Sequence, residues 1–515
     1  MNKNFLVVIA LNVITLLYSS WNKLSHQIAL LVNKLAVTAN LSAVSNLSVT
    51  KHSLVVNGSS LSYESKAGYM PVNGKDGKPA ANIFYVAYSA NNTAANKVPR
   101  PVTFVFNGGP GSSAIWLHLG AMGPIRVAFK NDKGDAPAPP YRYEDNDGSW
   151  LQFTDLVFID PVSTGYSRPA KGVDAKQFYG YNEDIKSVGE FIRLYIEQNN
   201  RWGSPKFIAG ESYGAARAVG LAGYLQNHYN MYLNGITLIS PALNYQLINF
   251  QPGNESPYIH YLPSYAVAAQ YHNRLSPELK KLTPDQLIKR TSAFSKRLYA
   301  YFLNEGDAAS PQLTQQVIDS LHYYTGLSKE YIRKVNGRIT DSRFTNQLLN
   351  SNDKTIGSFD SRFSGDNLSD NQAISYDPSE TNLKGLFVSA FNTYADNSLH
   401  YKNDLSYEAT SRPDSWNYAP VAVNRYLDVS EALKTAMTKN PNLKVSIACG
   451  YYDLSTPVST TEYVVSHLGL NAALRKNISI NYYKAGHMVY ISKSANAKFK
   501  ADGEKFYQSA LPQIN

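Results

Sequence analysis

The segment 207–216 constrains this 515-residue chain more than any other. It reads Phe-Ile-Ala-Gly-Glu-Ser-Tyr-Gly-Ala-Ala, an apolar run followed by Gly-x-Ser-x-Gly and small helix-forming residues. This order predicts a strand, a sharp turn at Ser212 and a helix that starts directly after the turn. Gly210 and Gly214 leave room for the two backbones to approach closely. The pattern predicts a nucleophile elbow, whose serine hydroxyl lies beside the positive end of a helix.

Strand and helix signals alternate around this turn. Short apolar runs typical of buried strands occur at residues 102–106, 156–160, 206–209, 235–240, 443–449 and 478–483. Amphipathic helical patterns at 182–198 and 460–468 separate some of these runs. Nearer the amino terminus, the strand-like residues 53–56 and 61–63 flank Asn57-Gly58, which predicts an antiparallel hairpin. We therefore predict an α/β fold with a mostly parallel central sheet, an antiparallel N-terminal hairpin and helices on both faces.

The alternation stops after residue 245. Residues 246–385 are rich in Tyr, Leu and Asn and contain no strand of the earlier type. Helix starts are indicated there by Ser276-Pro277, Thr283-Pro284 and Ser328-Lys329, each a capping residue before a good first-turn residue. We interpret this region as an inserted helical lid between a first part of the α/β core, at 53–245, and a second part, at 386–515.

The amino terminus carries the features of an export signal. Residues 1–4 include a positive charge, and residues 5–18 are apolar over a length that is short for a membrane span. We predict a signal peptide at 1–20 and a lead-in at 21–52, with an uncleaved membrane anchor as the alternative. After signal cleavage no stable membrane insertion is expected.

The cysteine content and the charge limit the possible compartments and partners. Cys449 is the one cysteine in the chain, so no intramolecular disulfide can form. We interpret it as a core residue, because it ends an apolar strand. An exported protein without disulfides fits a bacterial periplasmic or secreted protein. The formal net charge is +10, but no dense Lys/Arg block occurs, so we expect no nucleic-acid partner. The oligomeric state is not predicted.

Two residues further along the chain could activate the serine. A serine hydroxyl needs a base, and the base needs an acid to orient it. Asp453 follows the strand at 445–449, and His487 follows the strand at 478–483. Alone, each would be interpreted as a turn aspartate or a packed histidine. In this order and at the same predicted sheet edge, Ser212, Asp453 and His487 form a predicted catalytic triad.

A glycine-rich loop follows the strand at 102–106. It reads Asn-Gly-Gly-Pro-Gly-Ser-Ser from Asn107, and such glycines allow backbone N–H groups to converge on a developing negative oxygen. We predict that the N–H groups of Gly109 and Tyr213 form the oxyanion hole.

Five motifs together resemble a known family. They are Asn-Gly-Gly-Pro-Gly-Ser-Ser from 107, Phe-Ile-Asp-Pro-Val-Ser-Thr-Gly-Tyr-Ser from 158, Gly-Glu-Ser-Tyr-Gly from 210, Tyr-Tyr-Asp from 451 and Gly-His-Met from 486. In this order they resemble the serine carboxypeptidases of the carboxypeptidase Y-like type, here a bacterial-type member without disulfides. The resemblance implies an α/β-hydrolase fold whose lid is inserted in the second half of the sheet.

The resemblance also implies an activity. It implies an enzyme that needs no metal or organic cofactor and releases residues from peptide carboxyl termini through an acyl-enzyme. Ser212, Asp453 and His487 would be nucleophile, orienting acid and base. Asn107, Gly108 and Glu211 would bind the terminal carboxylate of the peptide substrate, with Glu211 protonated so that it can donate to that carboxylate.

One position departs from the family pattern. Better-known members carry a second glutamate in the helix after the glycine loop, and this chain has Ala121 there. We hypothesise that His118, one helical turn earlier, partly replaces the missing acid, although a packed histidine would also fit. The departure keeps an esterase or acyltransferase open as an alternative on the same triad. A secreted binding protein on an inactive scaffold is a further alternative, disfavoured by the intact triad residues.

Overall fold

A mixed sheet forms the centre of the computed structural model, which describes residues 47–511 except 57, 75, 92–98, 368–375, 412 and 414. Within these residues the central sheet has ten strands, and two short two-stranded ribbons lie apart from it. The predicted signal peptide and most of the predicted lead-in lie outside the described residues. In chain order the strands are β1 (Ser48–Val56), β2 (Ser59–Asn73), β3 (Pro79–Ala90), β4 (Val102–Phe106), β5 (Ile125–Val127), β6 (Tyr143–Asp145), β7 (Asp155–Ile159), β8 (Arg168–Pro169), β9 (Lys206–Glu211), β10 (Gly235–Ile239), β11 (Lys354–Ile356), β12 (Ser364–Asp366), β13 (Lys444–Gly450) and β14 (Ile478–Tyr483).

The strand order is β1-β2-β3-β7-β4-β9-β10-β13-β14, with β8 paired to β3. The pairs β1–β2, β2–β3 and β3–β7 are antiparallel, whereas the neighbours from β7 to β14 are parallel. This confirms the predicted α/β architecture with an antiparallel N-terminal hairpin. Strand β1 begins at Ser48, so the expected boundary between residues 52 and 53 falls inside a strand.

Helices follow most of the parallel strands. The α-helices are α1 (Ile115–Leu117), α2 (Tyr181–Gln198), α3 (Tyr213–Tyr229), α4 (Ser256–Tyr271), α5 (Pro277–Lys280), α6 (Pro284–Phe294), α7 (Ala300–Glu305), α8 (Pro311–Thr325), α9 (Lys329–Lys334), α10 (Asp341–Gln347), α11 (Pro378–Asn397), α12 (Ser430–Lys439), α13 (Val458–His467), α14 (Ala472–Arg475) and α15 (Lys493–Ala510). The 3₁₀ turns are Trp150–Gln152, Ala175–Phe178, Tyr245–Leu247, Gly306–Ala308 and Asn350–Asn352, and π-helical turns occupy His118–Met122 and Ser295–Tyr299.

Two buried apolar layers cover the faces of the sheet. Phe104 and Phe106 of β4 belong to one layer and Val105 to the other, because successive side chains of a strand point to opposite faces. Helices α2, α3 and α12 contribute to the first layer, and α11 and α15 to the second. The predicted apolar stripe of α2 is buried. None of the described helices is long and apolar enough to span a membrane.

Residues 246–385 are mostly helical. Ser276, Thr283 and Ser328 each accept a hydrogen bond from a first-turn N–H of α5, α6 or α9, as their sequence context indicates. The region also contains the ribbon β11–β12, which the sequence pattern did not indicate. Helix α11 runs through the expected boundary between residues 385 and 386, and its apolar side chains from Leu383 to Ala395 pack into the second apolar layer.

Cys449 is buried at the end of β13. Burial raises the pKa of its thiol to about 12. The thiolate is therefore not populated near neutral pH, and the interpretation of Cys449 as a core residue agrees with its surroundings.

Candidate active site

Ser212 lies in the sharp turn between β9 and α3. Its backbone has φ of 60° and ψ of −125°, which is strained for a residue other than glycine. Two hydrogen bonds hold the turn: Ser212 N donates to Ile239 O of the neighbouring strand at 2.9 Å, and Ala215 N donates to Ser212 O at 2.9 Å. A Cβ on Gly210 would lie 2.2 Å from the carbonyl oxygen of Gly214. The turn therefore has the geometry that the Gly-x-Ser-x-Gly pattern predicts.

Asp453 and His487 form a buried pair at the carboxyl ends of β13 and β14. Nδ1 of His487 lies 2.9 Å from Oδ2 of Asp453, and the side chains are 1% and 0% exposed. The carboxylate also accepts hydrogen bonds from Ser455 N at 2.7 Å, Thr456 N at 2.9 Å and Thr456 Oγ1 at 2.7 Å. These donors fix the orientation of the Asp453 carboxylate toward the imidazole.

The histidine loop is joined to the serine turn through β10. Ser240, directly after that strand, donates from Oγ to His487 O at 2.6 Å. Ile239, the preceding residue, accepts the hydrogen bond from Ser212 N. The structure thus brings Ser212, Asp453 and His487 to one edge of the sheet.

The second ring nitrogen of His487 is free. Nε2 is buried and has no hydrogen-bond partner among the described residues, so it does not bond Ser212 Oγ in this conformation. Catalytic hydrogen bonds of this kind are often long without substrate and tighten when substrate binds. Burial disfavours the charged imidazole, but the Asp453 carboxylate and Glu211 outweigh it and raise the pKa of His487 above its ordinary value.

The glycine loop lies directly against the serine turn. A Cβ on Gly108 would lie 2.5 Å from Tyr213 N and 2.6 Å from Glu211 O, so another residue cannot occupy this position without displacing backbone. Gly109 has φ of +100°, which also favours glycine. Among the described residues, neither the Gly109 N–H nor the Tyr213 N–H donates to a protein acceptor.

Glu211 is a buried carboxylic acid directly before the serine. Asn107 Nδ2 donates to its Oε1 at 3.0 Å, while Oε2 has no partner among the described residues. Burial raises the pKa of Glu211 to about 7, although His487, Tyr490 and Asn107 oppose this shift. At mildly acidic pH this carboxyl group is therefore protonated.

No group of three or more His, Cys, Asp or Glu side chains in the described residues is arranged to hold a metal ion.

Comparison with known proteins identifies the family of this chain. A family model described as serine carboxypeptidase matches residues 56–499. The chain belongs to the serine carboxypeptidase family. A crystal structure of the prohormone-processing carboxypeptidase Kex1(delta)p from Saccharomyces cerevisiae aligns with 88% of this chain and 92% of that chain, with a TM-score of 0.52 and 16% identity. This likeness confirms the α/β-hydrolase-type fold.

Curated relatives match over shorter segments. The pheromone-processing carboxypeptidase KEX1 of Saccharomyces cerevisiae is 29% identical over 228 residues, which cover 42% of this chain and 30% of that protein. Serine carboxypeptidase-like 36 of Arabidopsis thaliana is 27% identical over 194 residues, which cover 37% of each chain. In both cases the matched segment spans well under two thirds of the length of the relative.

His118, which we hypothesised to replace the missing acid in part, is packed inside the protein. Its Nε2 lies 2.6 Å from Tyr88 Oη, and its ring stacks on Phe158 at 4.3 Å between centroids. Burial lowers the pKa of His118 to about 3, and no charged group contributes to that shift. The side chain is thus a neutral, packed histidine, which speaks against a cationic contact to a substrate carboxylate. A contact in which His118 acts as a neutral donor stays a prediction.

A buried ion pair beneath the serine turn was not predicted from the sequence. Arg217 Nε donates to Asp184 Oδ2 at 2.7 Å, and both side chains are at most 2% exposed. Arg217 Nη1 also donates to Asn107 O at 2.6 Å, and Tyr213 Oη donates to Asp184 Oδ2 at 3.0 Å. The pair therefore joins the glycine loop to helix α3. The available signal was an arginine within the otherwise apolar start of α3.

Proposed function

We propose that this chain is a serine carboxypeptidase, which releases carboxyl-terminal residues from peptides through an acyl-enzyme on Ser212. One observation carries the proposal: a buried carboxyl group with a pKa of about 7, Glu211, directly precedes the serine, beside the buried Asp453–His487 pair. A protonated carboxyl group in that position can donate to the terminal carboxylate of a substrate. The bond next to that terminal residue then lies at the nucleophile.

The proposed chemistry follows the triad mechanism. His487 Nε2 takes the proton of Ser212 Oγ as this oxygen attacks the carbonyl carbon, and Asp453 stabilises the imidazolium. The N–H groups of Gly109 and Tyr213 donate to the negative oxygen of the tetrahedral intermediate. When the C–N bond breaks, His487 protonates the leaving amine. Water then attacks the acyl-enzyme with the same base, and the shortened peptide leaves with a new carboxylate.

The proposed carboxylate site consists of Asn107, Gly108 and Glu211. Protonated Glu211 would donate from its free Oε2, and Asn107 and the Gly108 N–H would add neutral donors. Ionised Glu211 would repel the same substrate group. A protonated carboxyl group that is held neutral by burial is therefore central to exopeptidase selectivity.

Residues 246–385 are proposed as the lid over this site. Within that region Phe359 O accepts a hydrogen bond from His487 N at 2.6 Å. Leu454 N, one residue after Asp453, donates to Ser358 O at 2.9 Å. Both triad loops downstream of Ser212 are thus in contact with the inserted region, which supports a role in shaping access.

An esterase or acyltransferase is the second candidate. Ala121, which has no polar atom on its side chain, favours it, because a weaker carboxylate site would relax the preference for peptide ends.

For location we propose export, with the predicted signal at 1–20. Amino-terminal sequencing of the mature protein tests export: a start near residue 21 supports cleavage, and an intact start supports the anchored alternative.

Digestion of long peptides followed by mass spectrometry tests the proposed activity. We expect stepwise loss of single residues from the carboxyl end by the wild-type protein and no loss by Ser212→Ala. Internal cuts, or ester hydrolysis without peptide shortening, would contradict the carboxypeptidase proposal. A wild-type protein that fluorophosphonates fail to label at Ser212 would contradict the triad itself.

A further inference from the structure

The turn that carries Ala121 packs against a tyrosine from the carboxyl-terminal part of the chain. A Cβ on Gly120 would lie 2.6 Å from Cε2 and 3.0 Å from Cδ2 of Tyr490. The Tyr490 side chain is fully buried. The ring of Tyr490 can approach this turn so closely because residue 120 has no side chain. The turn that has Ala121 in place of an acid thus has a buried phenol, that of Tyr490, packed against its preceding residue.

Two buried polar atoms near this turn have no hydrogen bond of good geometry. Tyr490 Oη and Glu211 Oε2 each lack such a partner among the described residues, although the two side chains lie close enough for each to shift the pKa of the other. Leaving a buried hydroxyl or carboxyl oxygen without a partner is costly, so such atoms call for an explanation, of which a functional role is one. The two side chains are close in space. After burial, Glu211 is the next cause that raises the pKa of Tyr490, whereas Asn107 lowers the pKa of the same hydroxyl.

We propose that Tyr490 is a substrate-binding residue, whose hydroxyl donates a hydrogen bond to the terminal carboxylate of the peptide beside Glu211 and Asn107. This inference rests on the proposed carboxypeptidase function. A carboxylate has two oxygens that together accept about four hydrogen bonds, so it can be bound by the Tyr490 hydroxyl, the Asn107 amide and protonated Glu211 at once. In this proposal the Tyr490 hydroxyl is an additional hydrogen-bond donor in a carboxylate site that lacks the second acid of the family.

The chemistry of a phenol suits this position. Because burial raises its pKa well above its ordinary value, the Tyr490 hydroxyl stays protonated near neutral pH and can donate a hydrogen bond. It places no negative charge beside the substrate carboxylate. A hydrogen bond from a neutral donor to an anion is stronger than one between neutral groups, so its loss should weaken binding about 10- to 100-fold.

Tyr490→Phe in the full chain tests the proposal. The phenylalanine keeps the ring against Gly120 and removes only the hydroxyl. The substrates are a blocked dipeptide with a free carboxyl terminus, the same dipeptide as its carboxyl-terminal amide, and a p-nitrophenyl ester of the same acyl group. We expect KM for the free acid to rise about 10- to 100-fold with little change in kcat. For the amide and the ester we expect changes below about twofold, since neither carries the anion.

Tyr507→Phe is the matched control. Tyr507 is also buried, and its hydroxyl lies 2.6 Å from Thr103 Oγ1, away from Glu211. This variant loses a buried hydroxyl as well, but it should change KM for the three substrates equally or not at all.

If Tyr490→Phe does not fold, Gly120→Ala is the second variant, because its Cβ forces the Tyr490 ring to move. The same selective rise in KM for the free acid is expected.

The possible outcomes separate the two proposals. If the wild-type protein shortens peptides from the carboxyl end, and Tyr490→Phe leaves the ratio of free-acid to amide KM unchanged, the assignment of Tyr490 is overturned while the proposed function stands. If the wild-type protein hydrolyses the ester but releases no terminal residue, the proposed function fails, and the assignment of Tyr490 fails with it. A selective rise for the free acid supports both.

Discussion

The nucleophile side and the carboxylate side of this site are built in different ways. The serine turn is a short local structure: Gly210, Ser212 and Gly214 follow one another within a strand–turn–helix unit. The carboxylate side is assembled from segments far apart in the sequence, with Asn107 after β4 and Tyr490 after β14. The proposed nucleophile is therefore encoded locally, whereas the groups that would select the substrate depend on tertiary packing, as do Asp453 and His487. Substitutions on the two sides should have distinguishable effects.

The largest effect is expected for the nucleophile itself. Ser212→Ala removes the attacking oxygen, so kcat should fall on the order of 10⁶-fold for a free-acid peptide, its amide and an ester alike. Steady-state rates with the three substrates and fluorophosphonate labelling check this. Residual activity near that of the wild type on any of them would mean that another residue is the nucleophile for that substrate.

A smaller fall in kcat/KM is expected when the contact between the glycine loop and the turn at Ser212 is disturbed. Gly108→Ala would place a Cβ 2.5 Å from Tyr213 N, which must displace an amide of the proposed oxyanion hole. We expect kcat/KM for the ester to fall about 10²- to 10³-fold. For the free-acid peptide the fall should be at least as large, because the Gly108 N–H also belongs to the proposed carboxylate site.

Gly223→Ala in α3 is the control for Gly108→Ala, because a Cβ at Gly223 meets nothing within 4 Å. It should leave the activity unchanged and raise the free energy of unfolding by up to about 1 kcal/mol. A Gly108→Ala variant that matches this control in activity would show that the loop does not constrain the oxyanion hole.

The effect becomes selective at Glu211. In the wild type, KM for a free-acid peptide should rise about tenfold between pH 6 and 8, because Glu211, with a pKa of about 7, ionises over this range and repels the substrate. Glu211→Gln cannot ionise, so that rise should disappear, and the amidated peptide should show no such rise in either protein.

Glu211→Gln should also affect the base. Glu211 raises the pKa of His487, so its removal should lower this pKa. A histidine that acts as a base must be unprotonated, and the acid limb of kcat/KM should therefore move to lower pH for all substrates. Profiles of kcat/KM against pH with the amide and the ester measure this shift. An unchanged acid limb would mean that Glu211 and His487 do not interact in solution.

The sequence predicted the local turns and caps, the α/β architecture and the sheet edge shared by Ser212, Asp453 and His487, but not how side chains of distant segments pack. The elbow at Ser212 and the capped helix starts at Ser276, Thr283 and Ser328 depend on neighbouring residues, so their patterns are visible in the chain. The proximity of Tyr490 to Gly120 depends on how two distant segments pack, and no local pattern records it.

The burial of His118 could not be predicted for the same reason. Its spacing from Ala121 fits one face of a regular helix, but residues 118–122 form a π-helical turn, and the imidazole packs between Tyr88 and Phe158. Helical spacing alone could not indicate that the ring would be buried in the second apolar layer.

The smallest effect on selectivity is expected at His118, where the effect on stability should be substantial. His118→Ala removes a ring that stacks on Phe158 and leaves Tyr88 Oη without its partner at 2.6 Å. We expect the free energy of unfolding to fall by roughly 3 kcal/mol, as for other emptied aromatic positions, in chemical denaturation. The ratio of KM values for the free-acid and amidated peptides should stay at the wild-type value, because a neutral imidazole bonded to Tyr88 makes no contact with the substrate. A rise in KM for the free acid alone would place His118 in the carboxylate site after all, and would show that selectivity there involves both sides of the Ala121 turn.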